Sequence, residues 1–222
     1  MPSKLQKFSE LESFNNCFKF FFEQIGKGFE LKGKWHSHYF KNEDPIVLEL
    51  GCGKGEYSIG LAKIHPEKNF IGMDIKGNRI WTGAKEAIDT KLSNVAFVRT
   101  RVDFIDHCFS PDEISEIWIT FPDPQPQKTR ARKRLTHPMF LDRYKKFIRK
   151  DGIIHLKTDS SSLYEYTLEV IKENNYKIHW LTKDLYKNCL TERKELIEIK
   201  THYEKLFTAK GEDIKYISFS VT

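Results

Sequence analysis

The 222-residue sequence predicts a doubly wound α/β fold, a mostly parallel seven-stranded sheet with one antiparallel strand at its edge. Three observations carry that prediction. Apolar runs of strand length recur along the chain and alternate with segments of helical period. The run Ile46-Val-Leu-Glu-Leu50 leads into Gly51-Cys-Gly-Lys-Gly55, with glycines at alternate positions, as at the first strand-to-helix turn of such sheets. The final run, Lys215 to Val221, alternates apolar and polar residues in the manner of an antiparallel edge strand.

The elements follow in order. Residues 1–44 are basic and aromatic without a clean period. They read as an N-terminal arm that packs on the domain or touches a partner, and residues 45–222 as the domain itself. After the glycine turn, Ile59, Leu61, Ala62 and Ile64 mark a short helix stopped by Pro66. Asn69 to Asp74 is the second strand and Gly77 to Thr90 the next helix. Val95 to Arg99 is the third strand, Asp103 to Ser115 a short helix and turn, and Ile117 to Phe121 the fourth strand. A helix from Pro138 to Lys150 leads into a fifth strand, Gly152 to Lys157. Helix Ser161 to Asn174 and strand Tyr176 to Leu181 complete the alternation. In doubly wound sheets ligands sit beyond the carboxyl ends of the strands, which collects Glu49, Asp74, Asp123 and Asp159 on one rim.

Composition narrows the function classes. A net charge of +6 and a pI near 9.0 bias the chain toward polyanions without naming one. Cysteines 17, 52, 108 and 189 form no C-x-x-C pair and no His/Cys cluster of zinc spacing. Neither a disulfide framework nor a metal site is expected, and a reducing, cytoplasmic setting is the default. The apolar stretch Phe18 to Phe22 is interrupted by Lys19 and followed by Glu23, too short for a signal peptide or a membrane span. No membrane association is expected.

Three segments carry chemistry. The glycines at 51 and 53 let the backbone turn tightly and approach a ligand at the mouth of the next helix. Glu49 would repel a pyrophosphate but suits a cofactor bearing an ammonium or sulfonium group, and Glu56 occupies the third glycine's place of G-x-G-x-x-G. The pattern therefore favours S-adenosylmethionine over a dinucleotide, the plain alternative being an ordinary glycine-rich turn. Asp74, about 20 residues beyond the loop, is placed to bind both hydroxyls of the adenosine ribose, or to cap the following helix. In Phe121-Pro-Asp-Pro-Gln-Pro-Gln127 three prolines hold the loop extended and present Asp123 at the rim. The alternative is a turn whose aspartate bonds its own backbone. Lys128-Thr-Arg-Ala-Arg-Lys-Arg134 carries five positive charges and no acid. It reads as a phosphate-binding run or as a solvated loop.

Taken together, L-E-L-G-C-G-K-G at 48–55, G-M-D-I-K at 72–76, F-P-D-P with the basic run at 121–134, K-T-D at 157–159 and T-H-Y-E at 201–204 resemble the bacterial tRNA (guanine-N7-)-methyltransferase family, from about residue 45 to 219. The resemblance implies a Rossmann-like class I methyltransferase that moves a methyl group from S-adenosylmethionine to N7 of a guanosine in tRNA, at position 46 of the variable loop. A monomer or homodimer with no obligatory partner subunit and no metal is expected. By resemblance Glu49, Gly51, Gly53 and Asp74 hold the cofactor, and Asp123 is the catalytic residue that also touches it. Asp159, Thr201, Tyr203 and Glu204 contact the substrate, and Lys157 walls the base pocket with them.

The chain also departs from the pattern. The family's adenine-binding acid falls at Arg101, with Asp103 the nearest acid. Its tryptophan after P-D-P is Gln125, and its next lysine is Gln127, which leaves Lys128 to take that contact and shifts affinity toward Arg130, Arg132 and Arg134. Guanine N7 has a lone pair and no proton, so the expected chemistry is positioning without a general base. Asp123 is expected to accept from the guanine N1 and N2 protons. Tyr203 and Phe207, four apart, read first as a helix packing on the core, and His36, His38, His155 and His179 as solvated or core histidines. Two other readings stay open: a methyltransferase for another RNA or a small molecule, and a non-catalytic RNA-binding relic. Intact Glu49, Gly51 and Asp74 argue against the relic, and Glu49 against a dehydrogenase.

Overall fold

Leu48 and Leu50 face one side of β2 (Ile46–Leu50) and Val47 the other, and all three are buried, the condition of a central parallel strand. The computed structural model describes residues 2–188 and 193–221. It sets β2 between β3 (Asn69–Asp74) and β5 (Ile114–Thr120), parallel to both. β4 (Val95–Arg99) extends the sheet beyond β3, and β6 (Ile148–Thr158) extends it beyond β5. Strand order therefore reverses between β2 and β5, which opens a crevice past their carboxyl ends.

Among the described residues the sheet has eight strands, one more than expected. β1 (Cys17–Lys19) pairs in parallel with β4 at the sheet's edge, and three residues are too few to leave a period in the sequence. The antiparallel strand is also placed differently. β8 (Lys215–Ser220) lies between β6 and β7 (Lys177–Thr182), antiparallel to each, so β7 is the edge. The alternation in β8 misleads because its polar positions are buried too, Ser218 donating to the Trp180 carbonyl (3.3 Å).

Helices cover both faces. α1 (Lys4–Leu11), α2 (Glu56–Ile64), α3 (Gly77–Asp89), α6 (Leu185–Asn188), α7 (Glu195–Glu198) and α8 (His202–Ala209) lie on the side of Val47. α4 (Pro138–Tyr144) and α5 (Ser161–Glu173) lie on the other, where Phe20, Phe29 and Trp35 from the N-terminal segment join the same core as Leu48 and Ile117. α4 stops at Tyr144, well short of Lys150, because Phe147 and Ile148 turn inward and Ile148 already begins β6. Gly152 permits the tight course that follows, since a Cβ there would come within 2.4 Å of the Ile148 side chain.

Among the described residues no helix is long and apolar enough to cross a membrane. Cys17, Cys52 and Cys108 are free thiols, and Cys189 lies outside the described residues.

Candidate active site

A cavity of about 750 Å³ occupies the crevice, within the range for a cofactor-sized ligand. One wall is the glycine turn. Gly51, Gly53 and Gly55 have φ of 70°, 56° and 74°, the left-handed region that side-chain-bearing residues avoid. A Cβ at Gly55 would strike the Phe97 ring at 2.6 Å, whereas one at Gly51 would meet nothing within 4 Å. Packing thus demands Gly55, while Gly51 leaves bare backbone facing open space. The Asp74 carboxylate ties this turn to the end of β3, accepting from Gly53 N (3.0 Å) and Lys76 N (2.8 Å). Those bonds use two of its roughly four lone-pair sites. The helix-capping alternative for Asp74 reduces to this turn, since Lys76 flanks α3 and no side chain caps it.

Glu49 is 3% exposed and lies at the bottom of the same wall. Its Oε2 accepts from Ser58 N (2.9 Å) and Ser58 Oγ (2.5 Å), and its Oε1 from Thr120 Oγ1 (2.7 Å). None of the three donors is a cation. Burial, assisted by the negative charge of Asp74, outweighs the hydrogen bonds and pushes the carboxyl up to about 7. A cationic ligand in the cavity would supply the missing positive charge. The residues therefore fit S-adenosylmethionine: open left-handed glycines, a carboxylate at the end of β3 with lone pairs to spare, and a buried acid without a cationic partner in its hydrogen-bond shell.

The opposite wall begins where β5 ends. Phe121 and Gln125 take φ of 47° and 45°, uncommon for residues with side chains, on either side of Pro122-Asp123-Pro124. The surroundings hold that strained loop. Phe121 N donates to the Lys157 carbonyl (2.8 Å), and Arg134 donates from Nε and Nη2 to the Gln125 carbonyl (3.2 and 3.0 Å). Asp123 is exposed on the cavity side and accepts from Gln125 N (3.1 Å). Both sequence readings of Asp123 are thus realised at once, a rim carboxylate and a turn that bonds its own backbone.

The third wall comes from the ends of β6 and α8. Asp159 lines the cavity, and burial raises its carboxyl. It does not cap α5, because Ser160 does, accepting from Leu163 N (3.2 Å). Thr201 lines the cavity and caps α8, its Oγ1 accepting from Glu204 N (3.1 Å). Tyr203 and Phe207 face the cavity. Tyr203 stacks on Phe207 at 6.4 Å and Phe207 on Phe121 at 6.3 Å, so this pair is a cavity wall as well as a packing contact.

Several expected site residues lie elsewhere. Arg101 is outside this cavity. It pairs with Asp103 (2.9 Å) and lines a separate hollow with Phe21, Phe22 and Phe104, because β4 stands two strands away from the crossing point. Gln127, Lys128, Arg130 and Arg132 are exposed on and beside the turn Lys128–Lys133, and Lys133 alone of that turn reaches the cavity. Arg134 is 8% exposed, its guanidinium donating twice to the Gln125 carbonyl and lying 4.2 Å over the Tyr166 ring, so in this structure it braces the Asp123 loop from within. Lys157 and Glu204 are fully buried beneath the cavity and paired with each other (2.7 Å). Sequence reasoning missed Ser58 and Thr120. The available signal was a hydroxyl at the last position of an apolar strand and another at the first turn of the helix after the glycines.

A family described as "Putative methyltransferase" matches residues 43–217. The chain is 49% identical over 220 residues to the tRNA (guanine-N(7)-)-methyltransferase of Christiangramia forsetii, covering 99% of this chain and 98% of that protein. It is 48% identical over 218 residues to the tRNA (guanine-N(7)-)-methyltransferase of Bacteroides fragilis, covering 98% and 85%. A SAM dependent methyltransferase from Aquifex aeolicus shares the fold, with a TM-score of 0.53 at 14% identity over 100% of both chains.

Proposed function

Since this chain belongs to the tRNA (guanine-N(7)-)-methyltransferase family, whose reaction moves a methyl group from S-adenosylmethionine to N7 of a guanosine in tRNA, we propose that the transfer takes place in the crevice between β2 and β5, with position 46 of the variable loop as its target. The observation that carries this reading is Glu49, a buried acid with neutral donors only, set in one cavity with Asp123 and with the bare backbone of Gly51.

Gly51, Gly53, Glu49 and Asp74 would hold the cofactor, which supplies a methyl group on a cationic sulfur. The chain's own residues orient the nucleophile. N7 needs no deprotonation, so no residue is assigned as general base. Asp123 accepts from guanine N1–H and N2–H, which selects guanine over adenine and leaves N7 electron-rich. The aromatic row of Phe121, Phe207 and Tyr203 offers a face to the base, since unstacked RNA bases are held on aromatic side chains. Lys128, Arg130, Arg132 and Lys133 take backbone phosphates, whose neutralisation releases counterions and makes binding fall with salt. The proposal includes action as a monomer or homodimer without an obligatory partner subunit. The reaction as proposed requires no metal and belongs to a reducing, cytoplasmic setting.

The test is methyl transfer from labelled S-adenosylmethionine to unmodified tRNA, with nucleoside analysis of the product. The expected result is 7-methylguanosine that is lost when guanosine 46 is replaced in the transcript, and lost again with Asp123→Ala. Label appearing in another nucleoside, or undiminished in the Asp123→Ala variant, would overturn the assignment of substrate or of site respectively.

A further inference from the structure

Two of the chain's signatures, Lys157-Thr-Asp159 and Thr201-His-Tyr-Glu204, meet in one buried ion pair. Lys157 Nζ lies 2.7 Å from Glu204 Oε1, and both side chains are 0% exposed. The same ammonium donates to the carbonyls of Leu196 (2.6 Å) and Ile199 (3.5 Å), in the segment that leads into α8, and lies 5.3 Å from the centre of the Tyr57 ring. The same carboxylate oxygen accepts from the Tyr186 hydroxyl (2.7 Å). The backbone of Lys157 works on the other wall, its carbonyl accepting from Phe121 N at the start of the Asp123 loop.

We infer that Glu204 and Lys157 are positioning residues. Through them α8 is held against the end of β6, so that Tyr203 and Phe207 stand at a fixed distance from Asp123. Neither side chain reaches the substrate. The helix geometry requires this division. Glu204 is one residue beyond Tyr203, so the turn that aims Tyr203 at the cavity aims Glu204 into the core, where a carboxylate persists only if paired. Residue 157 then couples the two walls, one by its carbonyl and one by its ammonium. This inference rests on the reading of the cavity as the base site, and its test separates the two.

The chemistry predicts rescue. Removing one partner of a buried pair strands the other charge, whereas replacing both with apolar groups of similar volume is often neutral. Lys157→Met and Glu204→Gln should each lower kcat by about 10²-fold, the scale of a misplaced reacting group, with the KM for tRNA and the affinity for S-adenosylmethionine within about twofold of wild type. Lys157→Met/Glu204→Leu should recover kcat to within about tenfold of wild type. Hydrogen exchange of the α8 amides, measured on the full chain, should rise in the single variants and return in the double variant. A double variant with α8 protected but activity as low as in Glu204→Gln overturns the inference, because a carboxylate that touches substrate is not rescued by deleting its lysine. Failure of the substrate reading looks different, as absence of transfer to tRNA by the wild-type chain. The exchange measurement then decides alone, and unchanged α8 protection in Glu204→Gln overturns the inference.

Discussion

Glu49 ties cofactor affinity to pH in a way that can be worked out from its surroundings. Burial sets its carboxyl at about 7, so the side chain is about nine-tenths ionised at pH 8 and about one-tenth ionised at pH 6. If the anion is what receives the cationic sulfur, affinity for S-adenosylmethionine should fall by about tenfold, or ~1.4 kcal/mol, between those values. Binding at pH 7 should release about half a proton, because a cation beside the carboxyl draws its titration downward. The assay is calorimetric titration at pH 6, 7 and 8, at pH 7 in two buffers of different ionisation enthalpy. Glu49→Gln should bind weakly at every pH and release no proton. S-adenosylhomocysteine, whose sulfur is neutral, should show a shallower profile than the sulfonium cofactor. An affinity that is constant from pH 8 to pH 6 in the folded wild type would refute the argument. The stability of the ligand-free chain should move the other way. The folded carboxyl is raised above its unfolded value near 4.5, so the folded state binds this proton more tightly, and the contribution of Glu49 declines as pH rises from the unfolded value through about 7. The full span is about 3 kcal/mol, of which about 1.3 kcal/mol falls between pH 6 and pH 8, and Glu49→Gln should abolish that difference in urea titrations at the two values.

Three further outcomes are expected. Arg130→Ala with Arg132→Ala should weaken tRNA binding and reduce the slope of log K against log salt by about 1 to 2, read by filter binding across a salt series. Arg134→Ala should instead lower the thermal midpoint and release the Asp123 loop, with the salt slope unchanged. It would lose two hydrogen bonds to Gln125 and the contact with Tyr166, together worth about 2–3 kcal/mol. Gly51→Ala should cost about 1–2 kcal/mol in chemical denaturation because φ is 70° there, and should weaken cofactor binding in calorimetry by placing a methyl group over the bare turn.

The acids at the strand ends were legible because their positions depend on local pattern alone. An apolar run that ends in an acid puts that acid at the carboxyl end of a strand, and the doubly wound topology then brings Glu49, Asp74, Asp123 and Asp159 to one cavity. The count and order of strands were less legible. β1 is three residues long, and β8 alternates like an edge strand although both of its faces are covered. Arg101 shows the limit of counting from motifs. Its position after β4 matched an expected cofactor contact, yet its guanidinium turns to Asp103 beside Phe21 and Phe22.

Residue type and order along the chain therefore determined the fold class, the cofactor chemistry and the rim of acids, since each follows from strand and helix periods and from the special backbone of glycine and proline. Tertiary structure alone decided what each charge does. Arg134 sits in a run of cations that otherwise faces solvent, yet it is buried over Tyr166. Glu204 belongs to a motif at the cavity, yet it is buried on Lys157. A charge's role depends on its desolvation and on partners far away in the chain, and neither is written in the local pattern.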